Sequence, residues 1–390
     1  MKIYMIGQKG IPTTAGGVER HVEELAIRLA KEGHEVYAYC RPYYTNKKIK
    51  KYRGVNLIHL PSLKTKHLDA ISHTLLASFD VLRRDADIIH YHAIGPASMC
   101  WLPKIFKPAA KIIATPHSQD YHHQKWGFFA RLYLRFGEQI ACRLPAATIS
   151  ISKTLQKHSW SAYQCDSVYI PNGTPKAMFA RAKEIAKWGL KGNDYLLSVS
   201  RLVRHKGVHH LIKAYQGLRT SKKLVIVGDS AFTDDYVNEL KELAKGDSNI
   251  IFTGNQNGRV LNELYANCYA FVQPSEAEGL SIALLEAMSF GRPVLVSDIP
   301  ENLEVVDGVM NKNFVTFQHR NVIDLRKKLE KLLRSPVLAE NIGKKAKTHI
   351  ENNYNWDDIT RKVIRVYSNV MKERSHILRP GQRFFRISRA

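Results

Sequence analysis

The chain contains no run of roughly 18 apolar residues, so no helix long and apolar enough to cross a bilayer is expected. Cysteine is also scarce. Cys40, Cys100, Cys142, Cys165 and Cys268 are widely spaced and form no Cys-x-x-Cys pair, which excludes a disulfide framework or zinc ribbon and points to a reducing, cytoplasmic location. Neither a Walker A loop nor a G-x-G-x-x-G fingerprint is present, which removes the simplest nucleotide-binding motifs. The opening Met1 to Gly7 runs into Gln8-Lys9 without a small-residue cleavage site and reads as a buried strand, not a signal peptide. Acid is in deficit as well: 35 Asp plus Glu face 59 Lys plus Arg, a formal net charge of +24. Such an excess attracts polyanions, among them nucleic acid, anionic membrane surfaces and phosphorylated small molecules.

What is there is a long, ordinary globular composition: 390 residues, 44% of them hydrophobic. That length favours two or three domains. Short Val/Ile-rich runs, starting with Ile3–Ile6, Glu35–Cys40 and Val55–Leu60 and continuing with Ile88–Tyr91, Lys111–Thr115 and Ala147–Ser150, alternate with amphipathic segments. Val18 to Lys31 is one such segment, with Gly33 as its stop. After the turn-rich Pro171-Asn172-Gly173-Thr174-Pro175 a polar run precedes a second set of strands at Tyr195–Val199, Lys223–Val227, Ile250–Phe252, Ala270–Gln273 and Pro293–Ser297. The pattern predicts an α/β protein with two doubly wound, Rossmann-like domains facing a cleft, over residues 1–175 and 176–371, and a basic aromatic tail over 372–390. Open parallel sheets take their ligands at the carboxyl ends of their strands.

Several loops at such ends have suitable chemistry. Gly16 and Gly17 open the first helix, where absent side chains let a ligand approach backbone N–H groups. In the second half, Arg201 and Lys206 follow a strand, and a guanidinium and an ammonium there could share one diphosphate. Glu278-Gly279-Leu280-Ser281 leads into the helix bearing Glu286. The two glutamates are separated by about 12 Å of rise if the whole span is helical, too far to act as acid and base on one bond. They suit hydroxyls at two ends of a longer ligand, with the helix N-terminus between them facing negative charge. His117, in Thr115-Pro116-His117-Ser118, follows a strand of the first half. Asp85-Ala86-Asp87 sits at the entrance to an apolar strand and reads as strand-edge polarity, not a metal clamp. The other histidines, including His90, His92, His122 and His123, lack convincing ligand spacing, so no metal is expected.

Taken together, Gly16-Gly17, the Arg201 and Lys206 pair, and above all Pro274-Ser275-x-x-Glu278-Gly279 followed by Leu285-Glu286-Ala287-Met288 and Gly291-Arg292-Pro293-Val294 resemble the family 4 retaining glycosyltransferases of GT-B fold. The likeness covers almost the whole chain. It implies an acceptor-binding first domain and a second domain that binds a nucleotide-diphosphate sugar, the donor. It further implies Arg201 and Lys206 on the diphosphate, Glu278 on donor-sugar hydroxyls, Glu286 on the ribose, and His117 shaping the pocket between acceptor and donor sugar. The implied reaction is metal-independent transfer of a hexosyl or deoxyhexosyl group, with no cofactor, in cell-surface polysaccharide synthesis. Ser297-Asp298-Ile299-Pro300 departs from the two glycines many relatives carry there, so donor identity is not carried over.

The charge is spread unevenly: net +12 over residues 1–175 and +5 over 372–390. Two stretches mix cations with aromatics, Arg41 to Arg53 and Ile377 to Ile387. They suggest an enzyme held peripherally on the inner face of a membrane, with a glycan or lipid-linked acceptor. A nucleic-acid-binding protein is the alternative for a +24 chain, but no reader motif or cationic stripe is present and no nucleic-acid partner is expected. Among enzymes, a nucleotide-sugar epimerase of similar shape is the alternative.

Overall fold

The computed structural model describes residues 1–65, 68–122, 126–178, 180–231, 233–309 and 312–376. The chain opens with β1 (Lys2–Ile6), α1 (Gly17–Lys31), β2 (Glu35–Cys40), the short β3 (Lys51–Tyr52), β4 (Val55–His59), α2 (Leu68–Leu82) and β5 (Ile88–His92). Then come α3 (Ile94–Ala97), α4 (Trp101–Phe106), β6 (Lys111–Thr115), α5 (Phe128–Arg143), β7 (Ala147–Ser150), α6 (Lys153–Tyr163) and β8 (Val168–Tyr169). These strands make one sheet in the order β3-β4-β2-β1-β5-β6-β7-β8, parallel except for the β3–β4 pair.

The alternation along β1 sets the layers. Ile3 and Met5 join one apolar cluster with Val22, Leu25 and Leu29 of α1, while Tyr4 and Ile6 join another with Ala77 and Val81 of α2 and Ala141 of α5. Both faces of the sheet are thus covered, which is why β1 and its neighbours bury side chains on both faces and not on one. The α1 residues fall at spacings of three and four and so share one buried stripe.

The second domain repeats the plan with β9 (Tyr195–Val199), α7 (Val208–Gln216), β10 (Lys223–Val227), α8 (Asp234–Leu243), β11 (Ile250–Gly254), α9 (Gly258–Asn267) and β12 (Ala270–Gln273). It continues with α10 (Ile282–Ser289), β13 (Val294–Ser297), α11 (Pro300–Val306), α12 (Lys312–Val315) and β14 (Thr316–Phe317), and closes with α13 (Val322–Arg334), α14 (Pro336–Asn353) and α15 (Trp356–His376). Its sheet is fully parallel in the order β11-β10-β9-β12-β13-β14. The strand order reverses between β1 and β5 in the first sheet and between β9 and β12 in the second, and the loops after those strands splay apart into crevices.

Two details differ from the sequence expectation. α10 begins at Ile282, not at Leu280 where the apolar run Leu280–Phe290 predicts it, because the Ser281 hydroxyl caps it by accepting from Leu284 N, leaving Gly279 and Leu280 in the loop. α15 packs on the first domain although most of it falls in the stretch assigned to the second: Trp356, Ile359, Val363 and Tyr367 join the cluster of Ile3 and Met5, and the Tyr367 hydroxyl shares a 2.7 Å hydrogen bond with His90 Nδ1. Of the expected tail, residues 377–390 lie outside the described residues.

Because α15 ties the end of the chain to the first core, Trp356→Ala is expected to destabilise the protein by about 3–5 kcal/mol. Thermal denaturation checks this, and an unchanged midpoint would contradict the packing described.

Candidate active site

The second crevice collects the charged residues. β9 and β12 are neighbours, so the loop after β9 runs beside the segment after β12. Gly207 has φ 67, and a Cβ there would lie 1.9 Å from the Pro274 carbonyl oxygen, so only glycine lets these loops touch. Lys206 Nζ donates to Glu278 Oε2 at 2.6 Å, and Ser275 Oγ donates to Glu278 Oε1 at 2.7 Å. Burial lowers the Lys206 pKa; Glu278 opposes that shift, while the Arg201 guanidinium adds to it. Arg201 itself is exposed at the rim. The sequence separated Lys206 and Glu278 by role; the fold places them in direct contact. An arriving diphosphate would compete with Glu278 for the ammonium and leave the carboxylate free to accept from other donors.

Behind this pair, Ser281 of the motif joins Gln273 and Asn302, which motif reading did not single out, in holding the carboxylate loop. Ser281 Oγ donates to Gln273 Oε1 at 2.7 Å, Gln273 Nε2 donates to Asn302 Oδ1 at 2.8 Å, and Asn302 Nδ2 donates to Ser297 Oγ at 2.9 Å. Buried polar groups satisfied in this way fix one geometry. Asn302 lies on α11, the short helix that begins at Pro300 in the departure from the two glycines of many relatives, and its amide is a structural one.

Glu286 lies on α10 in a half-buried position, and desolvation raises its pKa, opposed by the Arg20 guanidinium and the Tyr265 hydroxyl. Arg20 comes from α1, with Nε 3.8 Å from Glu286 Oε1. The first-domain glycine loop therefore faces the start of α10: a Cβ on Gly17 would lie 4.0 Å from Ile282 Cδ1. That loop is pinned by α1 carboxylates, with Lys9 N donating to Glu19 Oε1 at 3.2 Å and Thr13 N to Glu23 Oε2 at 2.7 Å. Tyr44 hydroxyl accepts from Thr14 N and donates to the Ala15 carbonyl.

His117 is buried against His21 and His92. The His21 and His117 rings sit edge to face at 4.7 Å, and His92 Nδ1 and His117 Nε2 share a 3.3 Å hydrogen bond. Burial, the leading cause, lowers the pKa of all three, to about 4 for His21 and well below the usual range for His92 and His117. The imidazoles are thus neutral at physiological pH. One nitrogen from each lies within 4.8 Å of the others, a set able to hold a cation that the spacing along the chain did not suggest. A second set, His209, His210 and Glu276, has its carboxylate engaged by Arg320.

The His117 backbone also forms part of the domain seam. A Cβ on Gly279 would lie 1.8 Å from the His117 carbonyl oxygen. Alongside, His21 Nδ1 donates to Asn172 Oδ1 at 2.8 Å and Asn172 Nδ2 donates to the Leu280 carbonyl at 3.0 Å, so the turn read as a plain linker is a bridge between α1 and the glutamate loop.

Of the Arg41 to Arg53 patch, the aromatic part is committed to the fold: Arg41 Nη1 pairs with Asp69 at 2.6 Å, Tyr43 hydroxyl donates to the same carboxylate, and Tyr44 holds the glycine loop. Lys47, Lys48, Lys50, Lys51 and Arg53 remain exposed. Asp85 and Asp87 both bind Lys2, Asp85 at Nζ and Asp87 at the backbone N–H, beside the first strand.

Residues 15–177 match Glycosyltransferase Family 4, and residues 180–349 match the Glycosyl transferases group 1. An uncharacterized glycosyltransferase of Methanocaldococcus jannaschii is 27% identical, covering 95% of this chain and 99% of its own. The O-antigen chain mannosyltransferase C of Escherichia coli is 23% identical over 96% of this chain and 100% of its own. Among solved structures, HepE of Anabaena in complex with UDP-glucose superposes with a TM-score of 0.78 at 19% identity, covering 95% of this chain and all of that one. The family matches favour a transferase over the epimerase and nucleic-acid-binding alternatives.

The neutral buried imidazoles make stability depend on pH. His21 binds its proton near 6.5 when unfolded and near 4 when folded, so the unfolded chain gains more protons on acidification. Its contribution is complete above about pH 6.5, falls between there and about pH 4, and amounts to about 3 kcal/mol. Denaturation measured from pH 8 to 4.5 should show a shallower loss for His21→Asn than for the wild type; parallel curves would contradict the neutral cluster.

Proposed function

As this chain belongs to the glycosyltransferases that join a family 4 domain to a group 1 domain in a GT-B fold, we propose that it moves a hexosyl or deoxyhexosyl group, with retention of configuration and without a metal, from a nucleotide-diphosphate sugar to a glycan or lipid-linked acceptor. The observation that supports this reading best is the half-buried Lys206–Glu278 contact at the switch point of the second sheet, with Glu286 on the helix that follows.

Chemistry follows from charge. As the bond between anomeric carbon and diphosphate oxygen lengthens, negative charge grows on the leaving group. Lys206, Arg201 and the N–H groups at the start of α10 favour that state over the ground state. Glu278, released from Lys206, accepts from sugar hydroxyls, and Glu286 accepts from the ribose hydroxyls. The acceptor oxygen bonds to the anomeric carbon on the face the diphosphate leaves, and its proton passes to the departing phosphate oxygen. His117, neutral and packed by His21 and His92, lines the acceptor side.

The E. coli relative, an O-antigen chain mannosyltransferase, supports cell-surface polysaccharide assembly as the setting, and the UDP-glucose complex of the Anabaena structure supports a nucleotide-sugar donor. A lipid-linked acceptor would place the enzyme peripherally on the inner membrane face. No helix among the described residues is long and apolar enough to cross a membrane.

Lys206→Ala and Glu286→Ala are each expected to lower turnover about a hundredfold or more while leaving the fold intact by circular dichroism. Nucleoside diphosphate release from a panel of nucleotide sugars measures this, and normal turnover in both variants would overturn the site. Wild-type turnover is expected to persist in excess EDTA; loss of activity there, restored by a divalent cation, would contradict the metal-independent reaction.

A further inference from the structure

Three helices on one face of the first sheet carry large apolar side chains outward. α2 turns His73, Thr74 and Ser78 inward yet leaves Leu75, Leu76 and Phe79 exposed. α4 exposes Trp101, Ile105 and Phe106. α5 exposes Phe128, Phe129, Leu132 and Phe136, with Phe128 and Phe129 at 75% and 83% of full exposure. A surface helix facing water shows the reverse pattern, with its apolar stripe toward the core. Scattered exposed apolar residues are ordinary, but these belong to neighbouring helices, since α2 packs on α4 and α3, and α3 packs on α5.

The fully exposed charge on the same helices has one sign. Arg83 follows α2, Lys104 lies within α4, and Arg131 and Arg135 alternate with the phenylalanines of α5, all of them exposed. Every carboxylate on the three helices is engaged: Asp69 by Arg41, Asp80 by Tyr39 and Arg84, and Glu138 by Tyr163. Aromatic and aliphatic side chains edged by exposed cations complement an interface of acyl chains and anionic headgroups. A second copy of the chain would bring like charges face to face, which is costly.

We propose that the outward face of α2, α4 and α5 is the surface by which this protein docks on an anionic lipid bilayer. The proposal rests on the reading of a glycosyltransferase with a lipid-linked acceptor and replaces the Arg41 to Arg53 stretch as the aromatic element of the contact. α5 is the next α-helix after the His117 loop, so docking here sets the acceptor side of the cleft beside the membrane.

Co-sedimentation of the full-length protein with phosphatidylcholine vesicles, with and without phosphatidylglycerol, tests this. Wild type is expected to bind the phosphatidylglycerol vesicles and to lose binding as salt is raised. Phe128→Ser with Phe129→Ser, and separately Leu76→Ser with Phe79→Ser, should each lower the bound fraction at least tenfold, with circular dichroism and nucleoside diphosphate binding unchanged. Phe384→Ser with Phe385→Ser in the tail, and Lys47→Ser with Lys48→Ser, should retain most binding. The proposal is overturned if wild type ignores anionic vesicles, if the helix variants bind like wild type, or if those variants turn a dimer into a monomer without affecting vesicle binding. Nucleoside diphosphate release from the panel of nucleotide sugars in detergent solution separates the two readings: its absence in wild type refutes the glycosyltransferase reading, whereas its persistence in helix variants that no longer bind vesicles supports docking alone.

Discussion

The close approach of the Gly279 backbone to the His117 carbonyl fixes the relation of the two halves of this protein. At that point the loop after β12 meets the loop after β6, and any side chain at residue 279 would drive them apart. Asn172 reinforces the seam by joining His21 to the Leu280 carbonyl, and Glu304 of α11 adds a second tie by accepting from Lys153 N and the Tyr169 hydroxyl. Because Gly279 follows Glu278 directly, the same seam that positions the domains also positions the carboxylate paired with Lys206. Geometry between the domains and geometry within the site are therefore one constraint.

Burial at this seam determines the electrostatics. Glu286 and Lys206 sit where the charged form of each is penalised, and each is opposed by a counter-charge, Arg20 from the first domain and Glu278 from the second. Such pairs are poor sources of stability but strong sources of specificity, because a ligand that replaces one partner inherits a preorganised ion. The histidine cluster is arranged differently: three imidazoles are kept neutral by burial, and their hydrogen bonds shape a wall without adding charge. The +24 of the whole chain thus has little to do with the seam, and part of it lies on exposed surfaces such as the α4 and α5 face and residues 47–53.

The strands and most helices were legible because their chemistry is local: apolar runs for doubly covered strands, and three-and-four spacing for α1. The site motifs were legible because glycines and charged residues at strand ends have few other uses. Contacts between distant segments were not. Nothing in the spacing of Asn172 marks it as a bridge, and nothing in Trp356 to Tyr367 says that an amphipathic helix returns to the first core, since periodicity gives a buried face but not its partner. The Arg41 to Arg53 stretch was legible only in part for a related reason: Tyr43 is exposed as its surroundings suggest, but its bond to Asp69 and that of Tyr44 to the Ala15 carbonyl join segments far apart in the sequence. Conversely, the outward apolar residues of α2 and α5 look like core in a sequence and become informative only when the sheet lies on their other side.

Binding of nucleoside diphosphates tests the central claim most directly, since the Lys206 and Glu286 environment has no other evident ligand. Thermal denaturation of the wild-type protein in a panel of nucleoside diphosphates and their sugars is expected to show at least one compound that raises the midpoint, equivalent to about 2.7 kcal/mol at a hundredfold excess over its dissociation constant. A panel in which no base and no sugar shifts the midpoint, with the folded protein verified, would contradict the account.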